Sequence, residues 1–128
     1  MSEFSMNGVG GVAVVTMPLD TTTKTAVGKD YDGAKGKAVA VTGNNTVGYG
    51  TAGDPLFGVL VKVEQDGFAS VQVKGFACGL TGTASSTAIN KFAAVDGAGG
   101  VKSAGSGVIS NGYITSFDST SKSTDIYM

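Results

Sequence analysis

Polar and apolar positions alternate most clearly in the middle of the chain. From Leu56 to Glu64, Phe57, Val59, Val61 and Val63 fall on one face while Lys62 and Glu64 fall on the other, the period-two pattern of a half-buried strand. Asp66-Gly67 supplies residues that tolerate a tight turn, after which Ala69, Val71 and Val73 alternate with Ser70, Gln72 and Lys74. An antiparallel hairpin is predicted. Lys37 to Thr42 repeats the alternation with Val39 and Val41 on one face, and Gly43-Asn44-Asn45 follows as a turn.

Upstream, an apolar run from Val9 to Met17 predicts a first strand closed by Pro18. Residues 1–8 are small and polar apart from Phe4 and Met6 and form an N-terminal arm, either a frayed terminus or a strap on a neighbour. Leu19 to Gly36, with Thr21-Thr22-Thr23 and the Lys29–Gly33 cluster, reads as a solvated loop or weak edge pairing. Leu80 to Thr87 reads as a Gly, Ser and Thr loop with room for one helical turn up to Ile89.

The second half predicts a short hairpin, Lys91 to Val95 and Val101 to Ser103 around Asp96–Gly100, then strands near Val108–Ser110, Tyr113–Phe117 and Thr124–Met128. Gly58 to Glu64 and Gly112 to Asp118 share a glycine, an apolar run and a closing acid, a faint internal repeat. Asn111-Gly112 is also the signature of a two-residue hairpin turn, and the two readings stay open.

Composition sharpens the class. Sixteen Val against four Leu and four Ile, with 14 Thr, favour strands, because β-branched side chains lose rotamer freedom in helices and pack well on a pleated surface. The 128 residues form one domain, residues 9–128 behind the arm, and the 21 Gly leave its core thin. A partner surface is expected to supply stability.

Charge and chemistry then exclude functions. The chain has no His and no Trp, and all nine of its basic residues are Lys, so it lacks an imidazole base and any guanidinium clamp. Enzymatic activity is not expected, and neither is a cofactor or a metal. A net charge of −1 without a basic cluster gives no footprint for nucleic acid, and no apolar run approaches a membrane span. The single cysteine, Cys78, has no internal disulfide partner and is expected to be a small core or interface residue. With no signal-peptide pattern, synthesis in a reducing cytoplasm is expected.

Several motifs fail on context. Gly48-Tyr-Gly50-Thr-Ala-Gly53 matches a dinucleotide fingerprint by letter, but Asp54-Pro55 and a β-run follow where the phosphate-facing helix should start. Gly8, Gly10 and Ala13 share that defect, and Gly28 to Lys35 resembles a phosphate loop with Ala34 in place of the required Lys. Asp30 and Asp32 lack the further carboxylates of a calcium loop, and most other acids sit beside turns as solvated turn residues. Asn44-Asn45-Thr46 is a glycosylation sequon that carries no meaning without a secretory signal.

The order of pieces resembles the bacteriophage head decoration proteins, also called capsid cement proteins. The carrying residues are Gly53-Asp54-Pro55, Phe57-Gly58-Val59-Leu60-Val61, Val71-Gln-Val73-Lys-Gly75-Phe76, the hairpin from Phe92 to Val101, and Tyr113 to Met128. Richer Gly and Thr and a longer segment between Met17 and Lys37 depart from that pattern. The resemblance implies an all-β fold, a small β-barrel or β-tulip-like domain of short antiparallel strands. It implies binding to the major capsid protein on the outer surface of the assembled virion head, as a homo-oligomer, usually a trimer and sometimes a dimer. Phe4, Met6 and Val9 are the capsid-contact residues expected on this reading. A phage tail or fibre module, or a carbohydrate-binding β module, is the alternative.

Overall fold

A computed structural model describes residues 12–83 and 87–128; the arm, with Phe4, Met6 and Val9, lies outside the described residues. Among the described residues strands take 48% and helix 6%, so the expected all-β class is the class observed. The strands are β1 (Ala13–Pro18), β2 (Ala38–Gly43), β3 (Thr46–Gly48), β4 (Gly58–Val63), β5 (Phe68–Lys74), β6 (Phe76–Thr81), β7 (Ala93–Val95), β8 (Val101–Ser103), β9 (Tyr113–Asp118) and β10 (Ser123–Tyr127), with one helix, α1 (Thr21–Val27). They form a five-stranded sheet ordered β1-β5-β4-β2-β3, a three-stranded sheet β6-β10-β9 and the β7-β8 hairpin, every pair antiparallel. The ends of the large sheet approach at a single bridge between Leu19 and Val47, and no closed barrel forms among the described residues.

The inner strands of the large sheet are covered on both sides. On one, Ala38, Ala40 and Val59 meet Leu80, Ala93, Val95, Ile114 and Ile126 from the C-terminal half. On the other, Val39, Leu60, Val63, Ala69 and Val71 pack beneath Leu19, Val27 and Ala34, contributed by α1 and its flanking loops. Adjacent residues of one strand therefore serve different cores: Ala38, Val39 and Ala40 are all buried, and Val41, expected to share a face with Val39, is exposed.

A bulge corrects the β4 expectation as well. Leu60 opposes Val71 and Lys62 opposes Ser70, so Val61 is an extra residue that the ladder skips. Leu60 and Val63 consequently face the same core and Val61 is exposed. The β4-β5 hairpin itself is as predicted, with Asp66 Oδ1 accepting the Phe68 N–H at 3.0 Å across the turn.

The segment read as a loop contains α1. Thr-Thr-Thr-Lys-Thr-Ala-Val is poor helix sequence, and its ends and burial outweigh its propensity. Asp20 Oδ1 accepts the Thr23 N–H at 2.7 Å as an N-cap, Gly28 N–H closes on the Lys24 carbonyl at 3.0 Å, and Thr23 and Val27 are buried. Gly48 lies so close to Asp20 and Thr23 that a β-carbon would collide with them, and Gly50 and Gly53 hold φ of +70° and +99°. The glycines of the fingerprint-like motif thus shape a turn against a helix cap.

Three further expectations change. Leu80 and Thr81 end β6 rather than opening a loop, since Phe76–Thr81 pairs with β10. Val108–Ser110 is not a strand. Asn111-Gly112 is not a hairpin turn; Gly112 precedes β9, where a β-carbon would strike Leu56.

Candidate interaction surface

The three-stranded sheet has one buried and one exposed face. Ala77, Leu80, Ile114, Thr124 and Ile126 point into the core, whereas Phe76 and Cys78 on β6, Tyr127 on β10, and Tyr113 and Thr115 on β9 are exposed. Period-two alternation in Tyr113-Ile114-Thr115 produces this directly. Along β6 the alternation slips, because Cys78 and Gly79 together oppose Asp125; Gly79 holds φ +75° and its N–H donates to Asp125 Oδ1 at 3.1 Å. Cys78 is thereby placed at the surface, which corrects its core reading and leaves the interface reading open.

Strand register turns isolated aromatics into a row. Phe76 opposes Tyr127, Tyr127 opposes Tyr113, and Phe92 bridges to Tyr113. The outer pairs lock edge to face, Phe76–Tyr127 at 5.4 Å and 67° and Phe92–Tyr113 at 5.5 Å and 88°. Each such pair stabilises by about 0.5–1.5 kcal/mol beyond its buried area. Yet the four rings remain 37–57% exposed, an apolar ridge crossing the sheet in water.

Asn111 fixes where this sheet sits. Its Nδ2 donates to the Phe57 carbonyl at 2.7 Å and the Val73 carbonyl at 2.8 Å, while its backbone N–H donates to the Leu56 carbonyl at 3.0 Å. One side chain therefore ties the approach to β9 to β5 and to the residue just before β4. Gly75 and Met128 exchange backbone hydrogen bonds at 3.2 and 3.0 Å, anchoring the end of β10 beside Phe76. On the other side of Gly75 in sequence, Lys74 pairs with Ala13, the first residue of β1.

The carboxylates are occupied with backbone. Asp20, Asp30, Asp54, Asp66, Asp96 and Asp118 each accept a nearby main-chain N–H, the turn and cap chemistry expected of them, whereas Asp125, inside β10, accepts the Gly79 N–H across strands. Burial works to raise the Asp20 pKa, but hydrogen bonds from Thr23 and Thr42 and the charge of Lys24 outweigh it and hold it below 3.8. The N–H groups of Thr120 and Ser121 lower Asp118 in the same direction. Tyr49 is raised by burial and by Asp30.

A hollow of about 480 Å³ lies between α1 and residues 49–54 and includes Asp20 and Asp54, whose oxygens already accept from Thr23, Thr42 and Thr51. Among the described residues no three His, Cys, Asp or Glu side chains converge, and no helix is long and apolar enough to cross a membrane. Compared with protein-family models, with curated proteins and with solved structures, the chain matches none.

Proposed function

We propose that this chain is a bacteriophage capsid decoration protein. On this reading it is made in the host cytoplasm, binds the major capsid protein on the outside of the assembled head, stabilises that shell and acts without catalysis. The carrying observation is the exposed ridge Phe76–Tyr127–Tyr113–Phe92 on a small all-β domain, a surface suited to burial against another protein. The sequence resemblance supplies the class of partner. Phe4, Met6 and Val9 are assigned to the same contact because β1, which follows them in sequence, starts with Ala13 opposite Lys74, two residues before Phe76.

An aromatic row also suggests the alternative, a glycan-binding module. A pyranose stacks flat on a ring face, however, and rings at 67° and 88° to their neighbours present no common plane for a sugar chain. The ridge geometry favours protein.

Co-sedimentation with assembled, undecorated heads tests the proposal. The intact chain is expected to sediment with the heads and to raise the temperature at which they disrupt, because a ligand that binds only the assembled state stabilises it. Phe76→Ser with Tyr127→Ser, and separately a chain lacking residues 2–8, are expected to bind at least tenfold more weakly while remaining folded. An intact chain that neither sediments with heads nor shifts their disruption overturns the proposal, and retention on a glycan array would then favour the alternative.

A further inference from the structure

β1 lies at the end of the large sheet, with β5 on one side; on the other, β3 comes close only at the C-terminal end of β1, through the Leu19–Val47 bridge, and among the described residues no strand pairs with Ala13–Met17 there. Such an edge offers unpaired N–H and C=O groups, and proteins ordinarily guard it with Lys, Pro or a bulge. Here Pro18 guards only the end. The irregularity in the β1-β5 ladder falls on β5, where Val73 is skipped between Lys74 and Gln72, so β1 itself is unbroken. From Phe4 to Leu19 there is no charged residue. Both faces of the strand are open: Val14, beside Gln72, is 48% exposed, and Val15, beside Val71, is 38% exposed.

We propose that this edge pairs with the same edge of a second copy, antiparallel, about a two-fold axis perpendicular to the sheet. Such an axis keeps each face on its own side, so it can oppose only residues an even number of positions apart. Centred on Val15, it sets Val15 against the second copy's Val15, Val14 against Thr16 and Ala13 against Met17, with no charge buried, and it stops short of Leu19, where β3 closes the edge. Each copy meets the same surface, as an isologous interface requires. Five paired residues cover on the order of 300–400 Å² per copy, about half of what a stable dimer buries on each side. The dimer is therefore concentration-dependent in solution and is consolidated where a surface gathers many copies. This selects the dimeric of the two assemblies the resemblance implies. It rests on self-association and not on capsid binding.

The test is a charge swap at the axis. The unaltered chain, followed by sedimentation velocity from low micromolar to near-millimolar concentration, is expected to pass from monomer to dimer. Val15→Lys and Val15→Glu each place like charges face to face across the axis and are expected to weaken the dimer at least tenfold. Mixing the two variants one to one is expected to restore it. Val61→Lys, an equally exposed valine on the inner strand β4, is the control that leaves dimerisation unchanged, and circular dichroism checks that each variant is folded. A chain that stays monomeric throughout, a Val15→Lys variant that dimerises normally, or a mixture that fails to recover overturns the proposal. So does a dimer that forms only after residues 1–8 are removed, since the chain's own segment would then be covering the edge. Loss of head binding with the dimer intact would count against the decoration reading alone.

Discussion

Two residues have roles that their surroundings define sharply. Asn111 donates through one amide to the Phe57 and Val73 carbonyls, so Asn111→Ala removes two hydrogen bonds at an exposed junction and is expected to cost about 1–2 kcal/mol. Asn111→Asp is nearly isosteric but turns acceptor oxygens toward both carbonyls, and it is expected to cost at least as much. Urea titration of the two variants checks this, and an Asp variant as stable as the original would refute the role given to the amide. Thr124 is the reverse case: its Oγ1 is buried with no hydrogen-bond partner among the described residues. Thr124→Val keeps the shape and removes the orphaned hydroxyl, so stability is expected to rise by about 1 kcal/mol. Acid acts through Asp20 and Asp118, whose pKa values lie below 3.8 in the fold. Their contribution is complete above about pH 4 and is lost as the pH falls through the lowered values. Asp20→Asn is expected to show a shallower decline in stability below pH 4 than the original chain, as read from denaturant midpoints.

At the scale of elements, what could be read from sequence is what local pattern and turn chemistry determine. The β4-β5 hairpin, the β7-β8 hairpin and the last strand pair follow from alternation and from Asp66-Gly67 and Asp96-Gly97. Three features did not follow, each for a tertiary reason. α1 is held by Asp20 and by the burial of Thr23 and Val27 rather than by propensity, and three successive threonines conceal it. Strand β6 is Phe-Ala-Cys-Gly-Leu-Thr, whose alternation is broken by a bulge that only its pairing with β10 defines. The aromatic ridge draws on residues 76, 92, 113 and 127, and no spacing along the chain announces a row built by register across strands. The β4 bulge makes the difference measurable. Plain alternation puts Val61 and Val63 on one face, whereas the fold exposes the first and buries the second. Val61→Thr is expected to change stability by less than about 0.5 kcal/mol and Val63→Thr to lower it by roughly 1–3 kcal/mol. Equal losses in thermal unfolding would mean that the bulge is absent in solution.

For the whole molecule, the central question is whether two cores make one cooperative unit. Ala38, Ala40 and Val59 belong to the core shared with the C-terminal half, while Val39, Leu60 and Val71 belong to the core beneath α1, and β2 and β4 contribute to both sets. Melting either core would leave these strands with one face in water, so neither layer is a stable partial structure and a single transition is expected. Ile126→Ala opens a cavity in the first core and Val39→Ala in the second; losses of about 2–5 and about 1–3 kcal/mol are expected. Each variant should shift one common transition. In a background carrying Tyr31→Phe and Tyr49→Phe, which removes the two tyrosines packed on the second core, Tyr113 and Tyr127 report on the C-terminal sheet through fluorescence, and far-ultraviolet circular dichroism reports on all the strands, so coincidence of the two melting curves is the measurement. If Ile126→Ala moves the tyrosine curve and leaves a separate backbone transition at its original temperature, the halves unfold independently. The ridge would then ride on a detachable unit, and its alignment with the β1 edge would have to come from the bound partner rather than from the fold.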